Sequence, residues 1–215
     1  MNIAIYTRLS KETTLEKVDI DPEVERTRPG GRGLFRGPKI EKAFFSVTES
    51  PTSLRNQGSI YSSGDYDYPT FGWQWGIYRG YIVTMVDIHP LRSDLEYRQR
   101  YVEPIKSIRE KYSIFHKYEM PRPPWSEPFH SGYEYIGRIP PENIGDSINL
   151  VVDYFSLWLG FWREAEPQKD PKLMEAASKR KREMREAYRK NEPGKELLIR
   201  AHGKELAEKI MELSI

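Results

Sequence analysis

The run Trp73-Gln-Trp-Gly-Ile-Tyr78, Arg79-Gly80, Tyr81-Ile-Val-Thr-Met-Val-Asp-Ile88 decides the fold class. β-Branched and aromatic residues dominate both flanks, which suits a pleated surface, and Arg79-Gly80 between them reads as a hairpin turn. No stretch long enough for a helical crossover separates the two runs, so they pair antiparallel. Further β-type runs at Ala43-Phe-Phe-Ser-Val47 and Tyr133-Glu-Tyr-Ile136, bounded by turn residues, spread the sheet over residues 39–138. Inside that span Leu95, Tyr97, Tyr101, Ile105 and Ile108 recur at helical spacing, which predicts one helix or two short ones broken at Pro104.

After Pro140-Pro141 the period changes. Leu150, Val151, Tyr154, Phe155, Trp158 and Trp162 form one apolar stripe, a second helix is predicted over 173–189, and a third over 195–213, so residues 141–215 read as C-terminal helices. Toward the other end, residues 1–38 are polar and poorly periodic. They close on Arg28-Pro-Gly-Gly-Arg-Gly-Leu-Phe-Arg-Gly-Pro38, whose four glycines and two prolines predict an irregular arm. Gly and Arg together can cradle phosphate, but no Lys-Ser/Thr of a P-loop follows. The expectation is an α/β protein of α+β type, a single domain over 1–215, layered with a central antiparallel sheet flanked by helices.

Composition narrows the chemistry. The 215 residues contain no cysteine, which excludes disulfides, thiolate nucleophiles and any iron–sulfur cluster held by this chain's own thiolates. Lys and Arg number 34 against 32 Asp and Glu, too even a balance to argue for nucleic acid from the whole chain. No window is apolar enough for a membrane span and the N-terminus lacks a secretory pattern, so a cytoplasmic protein is expected. Fourteen Tyr and five Trp supply stiff apolar walls that suit either an aromatic core or a flat conjugated ligand.

Ser62-Ser63-Gly64-Asp65-Tyr66-Asp67-Tyr68-Pro69-Thr70-Phe71-Gly72 is the densest cluster of chemistry. In an extended segment Asp65 and Asp67 share one side, where mutual repulsion and burial raise one pKa and hold a proton for donation; the same residues also read as a solvated Asx turn. At the end of the following run, His89 titrates near neutrality and Asp87 lies on the same strand face to orient it. His116, His130 and His202 show no spacing that suits a metal, and no metal is expected. Lys179 to Lys190 carries seven cations against Glu183 and Glu186. Such a run is a solvated helix face or a docking surface for an acidic partner.

Taken in order, these stretches resemble the ferredoxin-dependent bilin reductases, most closely the members that form 15,16-dihydrobiliverdin or phycoerythrobilin. Asp65-Tyr-Asp-Tyr-Pro-x-Phe-Gly72 is similar to the family's D-Y-D-L-P-x-F-G, Val86-Asp-Ile-His-Pro-Leu91 to its D-x-Q-P-L, and Tyr101-Val-Glu-Pro-Ile105 to its Y-x-E-P-I. Pro123-Pro-Trp-Ser-Glu127 with Phe129 and the run Ser131 to Arg138 resembles its W-G-x-x-F-S strand. The ladder Tyr154 to Ala165 resembles its Y-L-x-x-Y-L helix, and Glu192-Pro193 through His202-Gly203 its D-P-x-R-G segment.

The resemblance implies a three-layer α/β/α sandwich with an open tetrapyrrole between the sheet and the C-terminal helices. It implies a monomer with no tightly bound cofactor, flavin or metal, taking electrons singly from a reduced 2Fe–2S ferredoxin and passing them to biliverdin IXα. A heme oxygenase or a downstream bilin enzyme would hand on substrate or product. The family's central aspartate falls on Asp67, the implied proton donor, and its second on Glu192, one methylene longer. His89 stands where relatives have glutamine and is a candidate second acid. Arg92, Ser131 and Arg138 are the implied partners of the propionates, with Asp65 and Asp87 beside the pigment. A pigment carrier that reduces nothing, or a nucleic-acid binder using the basic helix, are the other classes considered.

Overall fold

Every strand hydrogen-bonds the strand that follows it in the chain. The computed structural model describes residues 1–27, 31–191 and 195–214. Helix α1 (Asn2–Glu12), strand β1 (Glu16–Val18), helix α2 (Pro22–Glu25) and strand β2 (Arg32–Gly37) lead into β3 (Ile40–Ser50), β4 (Ser53–Ser62), β5 (Thr70–Tyr78) and β6 (Tyr81–His89). Helices α3 (Leu95–Tyr101) and α4 (Ile105–Lys111) follow, then β7 (Tyr135–Ile139), and the seven strands form one antiparallel meander. The chain ends in α5 (Ile144–Glu164), α6 (Pro171–Asn191), α7 (Lys195–His202) and α8 (Lys204–Ser214). No helix among the described residues is long and apolar enough to cross a membrane.

Strand alternation gives the sheet two different faces. On one, Phe71, Trp73 and Trp75 of β5 pack with Ile82, Val86 and Ile88 of β6 beneath the stripe of α5, and Ile5 and Leu9 of α1 extend the same core. The indoles carry polar atoms that burial would strand, and each of three finds an acceptor. Trp158 donates to the Pro69 carbonyl at 2.8 Å, Trp75 to the Ser147 hydroxyl at 3.0 Å, and Trp73 to Asn2 Oδ1 at 3.0 Å. The other face carries Phe44, Tyr61 and His89 and lies beneath α6, α7 and α8. The result is the expected three-layer sandwich.

The irregular N-terminal arm is a correction. Its glycine-rich part, though not its first residues, lacks side chains for a core, yet β2 runs through it by pairing with β3, as Leu34↔Phe44 and Arg32↔Ser46 show. Upstream, α1 needs only Ile5 and Leu9, one turn apart, to anchor it. Arg28, Pro29 and Gly30 lie outside the described residues. Strand β4 was not anticipated, because Arg55, Asn56, Gln57 and Gly58 dilute its apolar pattern. Gly58 is required there: a Cβ would come within 2.3 Å of the Trp73 ring and 2.4 Å of the Phe44 carbonyl oxygen. The two helices around Pro104 agree with the sequence pattern. The single helix expected over 195–213 is two, broken at Gly203, whose φ of 78° lies in the left-handed region.

A second apolar cluster joins the ends of the chain. Ile20 and Val24 pack with Leu198, Ala207, Ile210 and Met211, so α7 and α8 are held by the N-terminal segment as well as by the sheet.

Candidate active site

Between the second face of the sheet and α6 to α8 lies a cavity of about 270 Å³. Its floor is β4 and β5, where Thr70, Gly72 and Gln74 point the same way along the strand. Met184, Tyr188 and Leu198 with Ile210 and Met211 supply an apolar roof. One wall is titratable: Asp87 and His89 of β6, His130 from the segment before β7, and Glu134.

Register explains the wall. Thr70 pairs with His89 and Gly72 with Asp87, so these residues share the cavity face. A Cβ on Gly72 would come within 3.0 Å of His89 Nε2; the missing side chain is what lets the imidazole lie over β5. His89 Nδ1 lies 3.2 Å from the Phe129 carbonyl oxygen and 3.3 Å from Asp87 Oδ2. Both neighbours can only accept, so Nδ1 carries the hydrogen and Nε2 keeps a lone pair in the neutral ring. Burial pushes the His89 pKa down, outweighing the attraction of Asp87.

His130 behaves oppositely. Its Nδ1 donates to Asp87 Oδ2 at 2.9 Å, and although burial disfavours the charged ring, that bond and the carboxylate's charge raise its pKa. Burial would raise the Asp87 pKa, but the two imidazoles and Ser131 outweigh it and hold the carboxyl below its ordinary value. Ser131 donates from its hydroxyl at 2.6 Å and its backbone N–H at 3.1 Å, and the Ile88 N–H adds 2.8 Å. Glu134, paired with Arg122 and accepting from the Gly132 N–H at 2.9 Å, is pushed up by burial and by the charge of Asp87.

Ligand atoms of Asp87, His89 and His130 all fall within 4.8 Å of one another, a spacing a metal ion could use although the sequence spacing gave no hint of it. Both Asp87 oxygens are already committed to four donors, and the proton on His130 Nδ1 occupies the nitrogen nearest that carboxylate. The arrangement fits storage of a proton better than a cation.

Asp67 stands elsewhere. Its carboxylate is bound by Arg92 at 2.5 Å and by Gln168 at 3.1 Å, beside α3, and it does not line the cavity. Asp65 is exposed while Asp67 is buried, because residues 63–69 are a loop and strand alternation does not apply to them. Arg92 is committed to Asp67 and Asp94, and Ser131 to Asp87. Arg138 is exposed on β7 with its guanidinium 5.2 Å from the centre of the Tyr81 ring. None of these three lines the cavity. Glu192 lies outside the described residues. His130, Glu134, Arg32 and Arg55 line the cavity without having been singled out for it; their approach is made by the fold, and no local spacing encodes it.

Much of the basic run on α6 turns inward. Lys181 is buried, donating to the Ser62 carbonyl at 2.8 Å and facing Glu41, which also binds Arg185 at 3.0 Å. Arg180 donates to the Pro128 carbonyl. Lys179, Arg182 and Lys190 remain exposed.

A family model described as ferredoxin-dependent bilin reductase matches residues 57–213. The crystal structure of phytochromobilin synthase from tomato, determined in complex with biliverdin, is similar with a TM-score of 0.84, covering 98% of this chain and 79% of that one at 18% identity. At that identity the likeness speaks for the fold. No curated protein matches the sequence.

Proposed function

The chain belongs to the ferredoxin-dependent bilin reductase family, and on that premise we propose that it reduces biliverdin IXα in the cavity between the sheet and α6 to α8. The 15,16 double bond is the proposed position, giving 15,16-dihydrobiliverdin or, with a second round, phycoerythrobilin. Each two-electron reduction consumes two electrons and two protons, and ferredoxin supplies the electrons singly. The cysteine-free chain supplies protons and position.

The observation that carries this reading is the Asp87–His89–His130 wall facing the cavity. We assign proton donation to His130, held charged by Asp87 and fixed through Ser131, and not to Asp67. Neutral His89 accepts at Nε2 from a pyrrole or lactam N–H and so positions the pigment. Glu134 stands on the same wall, its carboxylate held by Arg122 and by the Gly132 N–H. Aromatic and thioether side chains of the roof cover the conjugated body.

The second reading, a pigment carrier of the same fold, draws on one observation: β5 presents neutral Thr70 and Gln74 to the cavity, with the nearest carboxylates on β6 and beyond. Anaerobic mixing with biliverdin IXα and reduced ferredoxin separates the two. Catalysis gives passing radical bands and a blue-shifted product, identified by chromatography. A bound spectrum that never changes leaves only the carrier.

A further inference from the structure

The charges lining the cavity are unevenly spread. Its acids, Asp87 and Glu134, sit on β6 and before β7, and each already has a cation, His130 and Arg122 respectively. Its arginines, Arg32 on β2 and Arg55 on β4, sit on the opposite side with no acid of the lining near their strands.

Arg32 is fixed from behind. Its Nη1 donates to the Val24 carbonyl and, at 2.9 Å, to the Thr27 hydroxyl, while Nη2 is buried with no partner among the described residues. A guanidinium donor without an acceptor is costly to bury, and it marks a place for an anion. The Arg55 side chain lines the same cavity and makes no hydrogen bond or ion pair among the described residues. Register puts the two on one face of the sheet, two strands apart and within reach of one ligand: Arg32 pairs with Ser46, Ser46 with Gln57, and Arg55 lies two residues along β4 from Gln57. Arg55 lies across Gly76 from Val83, so the wall at Asp87 and His89 is about 10 Å away across the sheet and about 14–20 Å along it.

We propose that Arg32 and Arg55 form a carboxylate-binding corner of the cavity, which anchors the acid side chains of the ligand and thereby decides which part of its conjugated body lies against His89 and His130. This rests on the bilin reading, in which the carboxylates are the two propionates. Planar, bidentate recognition by guanidinium suits that group better than it suits a neutral lactam. Arg92 and Arg138, the cations to which the family resemblance pointed, take no part. Both positions of the corner precede residues 57–213, the stretch matched by the family model.

The test titrates biliverdin IXα and its dimethyl ester, by absorbance, into the wild-type chain and into the Arg32→Gln, Arg55→Gln and Arg138→Gln variants. Wild type should prefer the diacid about tenfold or more, since the ester keeps the shape and loses both charges. Arg55→Gln should cut that preference to about threefold or less by weakening the diacid alone. Arg32 also holds α2, so Arg55→Gln, which breaks no internal bond, is the decisive variant. Arg138→Gln should keep the full preference. The corner is overturned if wild type binds ester and diacid equally, if Arg55→Gln weakens both alike, or if Arg138→Gln abolishes the preference, and in each of these cases bilin binding itself survives. Failure of both compounds to bind wild type overturns the proposed function and the corner with it.

Discussion

Nδ1 of His130 donates to Oδ2 of Asp87 at 2.9 Å, joining residues 43 positions apart in the chain. Burial disfavours the imidazolium, but the Asp87 bond prevails and the pKa of the folded protein is raised. A group that holds its proton more tightly when folded stabilises the fold fully below its unfolded pKa, about 6.5 for histidine. That contribution disappears as pH rises through the folded value. Urea unfolding of wild type and His130→Gln should therefore differ by about 1–2 kcal/mol at pH 5.5 and converge in alkaline buffer. A difference independent of pH would show that His130 is not protonated in the fold.

Catalysis should follow the same proton. Removing a general acid costs on the order of 100-fold or more, so His130→Gln should lower the rate of bilin reduction by at least that factor while pigment affinity, read by absorbance, changes little. Wild-type turnover should fall as pH rises through the raised His130 value, and the variant should lose that limb of the profile. A variant with the wild-type pH profile would assign the proton to another group.

Asp67→Asn is expected to act on stability. Asp67 and Arg92 are both nearly buried, and Arg92 retains Asp94, so the neutral isostere should cost about 2 kcal/mol and leave turnover within about threefold of wild type. A hundredfold loss of turnover with unchanged unfolding would restore Asp67 as the proton donor.

The contrast between Asp67 and His130 shows what a sequence can and cannot reveal. The hairpin 73–88 and the stripe of α5 are local patterns, because one period dictates which side chains turn inward, and both elements lie where that period places them. Asp87 and His89 share a face for the same local reason. Asp65 and Asp67 look alike in sequence, yet the loop that holds them obeys no period, and Arg92, twenty-five residues on, takes one of them. His130 reaches Asp87 only because β6 and β7 are neighbours, which no spacing announces. Strand β2 is equally silent in isolation: its glycines offer nothing to a core, and pairing with β3 alone makes it a strand.

Gly58→Ala tests the crowding at β4. With Trp73 and the Phe44 carbonyl both within 2.4 Å of the added carbon, either the indole or the β3 backbone must move, and overpacking of this kind costs about 3 kcal/mol. Thermal unfolding should register it as a clear fall in Tm, whereas an unchanged Tm would mean that the indole has room to turn.

Electron delivery should depend on salt through the outward cations of α6. Replacing Lys179, Arg182 and Lys190 together with Gln should raise the KM for ferredoxin severalfold at low ionic strength and do little at high salt, where screening over about 10 Å or less has already removed the attraction. If wild-type KM is insensitive to salt, this face is not where the donor docks.

The small cluster of Ile20 and Val24 with Leu198, Ala207, Ile210 and Met211 makes a clasp of the two extremities of the chain. Pruning one extremity therefore loosens the other: without α2, the roof of the cavity loses its outer mooring, and a protease that nicks the opening residues would be felt at Leu198, more than 170 positions downstream on that roof. The segment that reads as an irregular arm is the latch.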